Sequence, residues 1–419
     1  MRIENLRREE RGDRLRIAAT LTWEERHEPP QEIYFETIKE FGEGLWPNPH
    51  AFLMGCIMPA MHYGEQRLSI DGEISPEVRL GLMAATRWIL HWFYGPDNHS
   101  PVIEARIRPN GLSPIRPERA GMFFSGGVDS FGTLRFNRLN FPFEHPWAVK
   151  DGLLVFGLET DEEEKFDHVV RSMREVARET GLTLIPVYTN VRHLNDDWMF
   201  WERASHDAIF SAIAHALSRR LTTVSISSTY DIPHIRPQGT HPLLDINYSS
   251  ADVLVRHDGI LLSRLDKTEL IADWDVALQN LRVCNNSDLY HSDMLNCGRC
   301  HKCVRTMLGL LALGVLQKSR AFPPDVLSAE LIESVIDIHP TTVCFYAELT
   351  APLKEKGHQD FAHVLEKKIA AYELRRENQR LRSVVRETVH SKVKRFDHTY
   401  LHGNLKRFVS QRRIRSASR

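Results

Sequence analysis

Residues Met122 to Arg135 read MFFSGGVDSFGTLR, so an apolar run enters Ser125-Gly126-Gly127-Val128-Asp129-Ser130 and a helix-like segment leaves it. That order describes a strand, a tight turn and a helix. Glycines in such a turn let the backbone come close to an anion, and the helix presents unpaired N–H groups and the positive end of its dipole. Ser125 and Ser130 add hydroxyl donors. Asp129 would repel phosphate unless a divalent cation stood between them, so the acid points to Mg2+ shared by carboxylate and phosphate oxygens. The Gly-Lys-Ser/Thr ending of a Walker loop is missing, so the stretch does not read as a loop that moves a γ-phosphoryl group. The alternative is a plain glycine turn.

Outward from the loop the pattern is strand and helix in alternation. Gly152 to Glu159 is a buried strand pattern; Asp161 to Glu179 is a helix with acids in its first turn, an apolar stripe from Phe166 to Val176 and Gly181 just past its end. Thr183 to Tyr188, a helix pattern over Arg203 to Arg219, and Thr223 to Ser227 continue the series. Such alternation predicts an α/β fold, a parallel sheet with helices on both faces and ligands beyond the carboxyl ends of the strands. The polar segment Ser228 to Asp245, STYDIPHIRPQGTHPLLD, falls at such an end and is a candidate substrate loop.

Before the loop, Arg16 to Trp23, Glu32 to Ile38 and Val102 to Ile107 read as strands and Pro76 to Phe93 as a helix. Pro109, Gly111, Pro114 and Pro117 mark a linker. Cys56 and His62 sit among Met54, Ile57, Met58 and Met61, where a buried cysteine and a hydrogen-bonded histidine are expected. With 419 residues and 42% hydrophobic composition the chain can bury a sizeable core. The N-terminus is dense in charge, and apolar runs such as Met307 to Leu316 are too short to span a bilayer, so the expectation is a cytoplasmic protein without a membrane span.

Four of the six cysteines are crowded as Cys284, Cys297, Cys300 and Cys303, a C-x12-C-x2-C-x2-C pattern that ends on a helix pattern near Val304. Four thiolates in reach of one another fit tetrahedral Zn2+ with no open position, hence a structural metal. An iron-sulfur cluster would accept the same four ligands. His291 and His301 lie in the same segment as alternative ligands, and Cys344 stands alone.

SGGVDS resembles the signature of the PP-loop ATP pyrophosphatases, which cleave ATP between its α and β phosphates. Followed by a lone cysteine and then Cys297-Gly298-Arg299-Cys300-His301-Lys302-Cys303, it is similar to the combination found in the zinc-containing 7-cyano-7-deazaguanine synthase family. Asp266-Lys267-Thr268-Glu269-Leu270 is similar to that family's Lys-x-Glu segment between the two motifs. The resemblance covers Gly121 to Leu316. It implies a Rossmann-like PP-loop fold and an ATP-dependent, AMP- and pyrophosphate-forming carbon-nitrogen ligase, in which a carboxylate is activated as an acyl-adenylate for ammonia or an amine. Ser125 to Ser130 would bind ATP, with Asp129 placing Mg2+, Asp129 and Ser130 acting at the phosphates and Lys267 supplementing a helix dipole in holding pyrophosphate. The long extensions on both sides, and the wider gap after Cys284, mark a divergent relative, with Tyr230, Asp231, His234, His241 and Asp245 as its acceptor pocket.

Four regions follow: an N-terminal α+β domain (1–115), a PP-loop ATP-binding domain (116–275), a zinc-stapled helical subdomain (276–350) and a basic helical tail (351–419). From Glu373 to Arg419 there are 14 Lys/Arg against 4 Asp/Glu, an excess of 10 that leaves the rest of the chain at −11 for a total of −1. That asymmetry suggests an anionic partner for the tail. Phe361 to Val385 carries apolar residues at imperfect heptad spacing, which would either pair with another helix or dock on its own domain. Two other functions fit the same motifs: a PP-loop enzyme acting on tRNA gripped by the tail, and a non-enzymatic nucleotide-binding scaffold.

Overall fold

Ten strands, β1 (Arg2–Arg11), β2 (Arg14–Thr22), β3 (Gln31–Ile38), β4 (Arg67–Ile74), β5 (Val102–Ile107), β6 (Ala120–Phe123), β7 (Val149–Phe156), β8 (Thr183–Thr189), β9 (Thr223–Ser227) and β10 (Leu254–Asp258), form one sheet. Their order is β10-β9-β6-β7-β8-β3-β2-β1-β4-β5. The structure, a computed structural model, describes residues 1–108, 118–158, 162–284 and 294–400, without the side chains of 385–398 and 400. β10 through β8 are parallel, as the alternating pattern predicts. β8 then pairs antiparallel with β3, and β3 with β2 and β2 with β1, before parallel pairing resumes to β4 and β5. The N-terminal strands therefore extend the sheet of the loop region. Pro109, Gly111, Pro114 and Pro117 lie outside the described residues.

The layers follow from the pleat, because successive strand residues point to opposite faces. Met122, Leu154 and Leu184 enter one core while their neighbours Phe123, Leu153 and Ile185 enter the other. Helices Val128–Asn140 and Glu163–Thr180 cover the first face; Pro49–His62 and His206–Ala216 cover the second. Glu163–Thr180 ends on Gly181, whose φ of +67° is the left-handed turn its sequence predicts. Pro49–His62 escapes a stripe-based reading because it is buried almost all round, and Cys56 lies inside it. His62, at its exposed end, sits 2.7 Å from the Tyr94 hydroxyl.

The charge-dense N-terminus is β1. Ile3 points inward, while the outer face of the first three strands is a cross-strand ladder in which Arg7 and Arg16 pair with Glu32, and Arg14 and Arg16 with Glu36. Beyond the parallel strands, the helices His301–Ala312, Ala329–Val335 and Val343–Glu355 join the first core. Gln359–Tyr400 is one helix whose Ala362, Leu365 and Tyr372 dock on that core. Leu374, Leu381 and Val384 are exposed, so the apolar series serves its own fold only as far as Tyr372. No helix among the described residues is long and apolar enough to cross a membrane.

Candidate functional site

The loop follows the carboxyl end of β6, where Phe124 N–H donates to Leu153 O at 2.8 Å. Gly126 then turns the chain at φ +81°, a left-handed conformation. A Cβ there would meet Met173 Sδ at 2.8 Å and Arg282 Cβ at 3.3 Å. Gly126→Ala is therefore expected to cost about 1–3 kcal/mol in chemical denaturation, from backbone strain and overpacking together. Gly127 is extended and caps the helix Val128–Asn140, whose first turn receives no side-chain cap among the described residues. Ser130 Oγ instead turns back to donate to Gly127 O at 3.0 Å. Among the described residues the first-turn amides have no side-chain cap, while the Gly127 amide before them donates to Ser125 Oγ at 3.4 Å.

A cavity of about 420 Å³ opens over this loop, lined by Ser125, Gly127, Val128, Asp129 and Ser130. Its apolar wall comes from strand ends (Phe123, Leu153, Val155, Ile226) and from Trp198, Trp201 and Phe210. The opposite wall is cationic: Arg264, Arg282, Lys302 and Arg305 converge from three segments. Arg264 and Arg305 each place the guanidinium over Phe345, at 5.0 and 4.9 Å from the ring centroid. Burial, then repulsion from Arg264, pushes Arg305 down to about 10, which leaves it charged at neutral pH.

Asp129 anchors Arg264. Its Oδ2 accepts from Arg264 Nη2 at 2.6 Å and from Thr229 Oγ1 at 3.4 Å, and Lys267 Nζ is 3.8 Å from Oδ1. Burial would raise its pKa, but Arg264, Lys267 and Arg305 outweigh it and hold the carboxyl below its ordinary value. Oδ1 has no hydrogen-bond partner. Lys267 does not reach the cavity: it is fully buried in the helix Arg264–Ala272 and donates to Ser228 O at 2.7 Å. The helix N-terminus instead offers Arg264 to the cavity, with Ser263 and Asp266 forming a capping box behind it.

The four cysteines come together. Cys284 and Cys300 Sγ are 3.7 Å apart, Cys297 and Cys303 Sγ 3.9 Å, and all four lie within 4.8 Å of one another. Tetrahedral Zn2+ with bonds of about 2.3 Å sets its sulfurs about 3.8 Å apart, so the set could hold a metal ion such as zinc. Amides of Arg299 and Cys300 donate to Cys297 Sγ and that of Cys303 to Cys300 Sγ, as thiolate ligands require. The cluster also shapes the cavity: Cys284 lines it, Arg282 precedes that residue by two, and Lys302 and Arg305 leave the knuckle one helical step apart. His301 is exposed at the start of that helix, and His291 lies outside the described residues.

Of the substrate loop Ser228 to Asp245, Thr229, Tyr230, Gln238 and Thr240 line the cavity, Tyr230 stacked on Phe345 at 5.2 Å and donating to Thr341 O at 2.7 Å. Asp231 and His234 pair with each other, Oδ1 to Nδ1 at 2.5 Å, outside the cavity lining. His241 and Asp245 lie elsewhere, beside Asp207 and His257. Burial, then the charge of Asp207, raises Asp245 well above the carboxylate range. The residues missed from sequence are the four cavity cations and the tryptophans, of which only Lys302 and Arg305 had a local signal: basic residues three apart on a helix that starts at a cysteine motif.

Comparison of the chain with family models, curated proteins and solved structures returned no match.

Proposed function

We propose that the chain is an ATP-dependent, AMP-forming ligase that activates a carboxylate for attack by a nitrogen nucleophile. The observation that carries this reading is the joining, in one cavity, of an uncapped glycine-turn helix start with Arg264, Arg282, Lys302 and Arg305. A single phosphate needs no such array, whereas a leaving pyrophosphate, which gains charge as the bond at the α-phosphorus breaks, does. The apolar wall with Trp198 and Trp201 offers ring faces to a base or a planar acceptor. The four cysteines would hold Zn2+ and keep the cationic wall in place. Asp129 Oδ1, which makes no hydrogen bond and has only Lys267 Nζ at 3.8 Å, would hold Mg2+, which would supply charge neutralisation between carboxylate and phosphates.

In this reading a substrate carboxylate attacks the α-phosphorus, the P–O bond to the β-phosphate breaks, and pyrophosphate leaves toward the loop amides and arginines. The acyl-adenylate then yields its carbonyl carbon to ammonia or an amine, releasing AMP. Sulfur transfer is disfavoured, because burial pushes the Cys56 thiol far above its ordinary range and raises Cys344 too, and neither lines the cavity.

The test is exchange of labelled pyrophosphate into ATP across a panel of carboxylates with Mg2+. Exchange that depends on one carboxylate class supports adenylation; none across the panel, with ATP bound, refutes it. Gly127→Ala sharpens the result, since a Cβ there meets nothing closer than Ser125 Oγ at 3.4 Å yet stands on the cavity lining. Its melting temperature is expected to match the parent while exchange falls at least about tenfold, a loss of about 1.4 kcal/mol in transition-state binding.

A further inference from the structure

Behind the cavity wall lies a second group of polar side chains that adenylation does not use. Asp207, in the first turn of the helix His206–Ala216, and Asp245, at the end of the short helix Pro242–Asp245, are both fully buried. His257, from β10, completes the group: one ligand atom from each of the three lies within 4.8 Å of the others. His257 Nδ1 is 2.8 Å from Asp245 Oδ2, and His206 Nδ1 is 2.5 Å from Asp207 Oδ1. The remaining oxygens, Asp207 Oδ2 and Asp245 Oδ1, have no hydrogen-bond partner, and neither has the buried hydroxyl of Tyr248. Among the described residues the ion-pair partners of these acids are His206 and His257, with no lysine or arginine.

Two carboxyl groups without a strong cation are among the costliest groups a protein can bury. Two carboxyl groups this close cannot both stand ionised with their free oxygens facing each other, so either a shared proton or a metal cation must lie between them. We infer that Asp207, Asp245 and His257 form a metal site, separate from the four cysteines, for a divalent transition ion of the Mn2+ or Zn2+ class. Ligands about 2.1 Å from an ion are at most about 4.2 Å apart, so shifts of a few tenths of an ångström close the shell. An imidazole among carboxylates selects such ions over Mg2+ and Ca2+, which take oxygen ligands. Three protein ligands leave coordination positions open. His206 links the site to the cavity, since its ring lines the cavity and its Nδ1 contacts Asp207.

The test uses the full chain, purified without chelator and without nucleotide. Metal analysis is expected to find a second equivalent beyond the four-cysteine ion, or else titrated Mn2+ is expected to bind at one per chain with nitrogen hyperfine coupling in its paramagnetic resonance. That coupling separates this site from Asp129, whose neighbours Arg264, Thr229 and Lys267 include no imidazole. Asp245→Asn and His257→Gln should each lower the affinity at least about a hundredfold while the four-cysteine ion stays. Because either variant could unfold, the nitrogen coupling is read on the parent protein. One metal per chain and no nitrogen-coupled Mn2+ overturns the site and leaves a proton shared between the two acids; so does unchanged Mn2+ binding in a folded Asp245→Asn.

Discussion

Replacing Cys297 and Cys300 by serine is expected to release one zinc ion per chain and, with it, the cationic wall of the cavity. Regular structure cannot hold this segment, since neither Leu281 to Cys284 nor Met294 to Cys300 forms helix or strand. Besides the Arg282 amide, which donates to Gly126 O at 2.7 Å, two devices hold it. One is Asn296, fully buried, which donates to Leu281 O and Ala321 O at 2.7 and 2.8 Å and accepts from the amides of Val283 and Cys284. The other is the set of four sulfurs, which as thiolates repel one another unless a cation stands between them. A structural zinc contributes on the order of 10 kcal/mol of binding free energy that is also folding free energy. Asn296 alone, with bonds worth about 1 kcal/mol each, cannot replace it. The double variant should lose zinc by metal analysis, become sensitive to protease near residues 282–303 and lose ATP binding, because Arg282, Lys302 and Arg305 are all placed by this segment. Cys344→Ser, outside the cluster, should retain all three properties. Retained zinc or retained ATP binding in the double variant would refute the coupling of knuckle to cavity.

Some of this is legible in the sequence because its causes are local. The glycine turn, the Cys-x-x-Cys spacing, the amphipathic stripe from Phe166 to Val176 and the buried strand runs each declare themselves within a dozen residues. β1 does not, because an outer face built of Arg–Glu pairs looks like a charged tail until its partners on β2 and β3 are known. The helix Pro49–His62 carries no polar face to reveal its period, and Pro59 stands inside it. π-helical turns at Leu90–Tyr94 and Trp201–Ser205 end the helix pattern over Pro76 to Phe93 and open the one over Arg203 to Arg219. The second of these turns carries Trp201 to the cavity and leads into His206. Arg264 and Arg282 meet Arg305 only through tertiary folding, so no window of sequence contains that wall. Lys267 illustrates the converse: its place near a helix start is legible, but the burial that turns its amine toward Ser228 O is not.

Asp129→Asn is expected to reduce pyrophosphate exchange at least about a thousandfold while metal-free ATP binds as tightly as before or tighter. The two halves of that result separate two roles for one carboxylate. As a counter-ion, Asp129 offsets Arg264 and Lys267, and removing its charge makes the cavity more positive, which favours a polyanion. As a metal ligand, its Oδ1 makes no hydrogen bond, and without it the leaving pyrophosphate would lose the cation that shares its charge. Removing a single preorganised electrostatic contact costs about a hundredfold to a thousandfold, and here metal and arginine positioning are lost together. Asparagine keeps an acceptor for Arg264 and Thr229, so the fold should survive. Alanine should be less well tolerated than asparagine: both remove the counter-charge of Lys267, but alanine also removes the acceptor used by Arg264 and Thr229, at a further cost of about 1–3 kcal/mol. Equal loss of exchange and of metal-free ATP binding in Asp129→Asn would mean that the carboxylate only arranges the arginines. Wild-type exchange in that variant would remove Asp129 from the chemistry and, with it, the reading of this loop as a site for breaking ATP at its α-phosphorus.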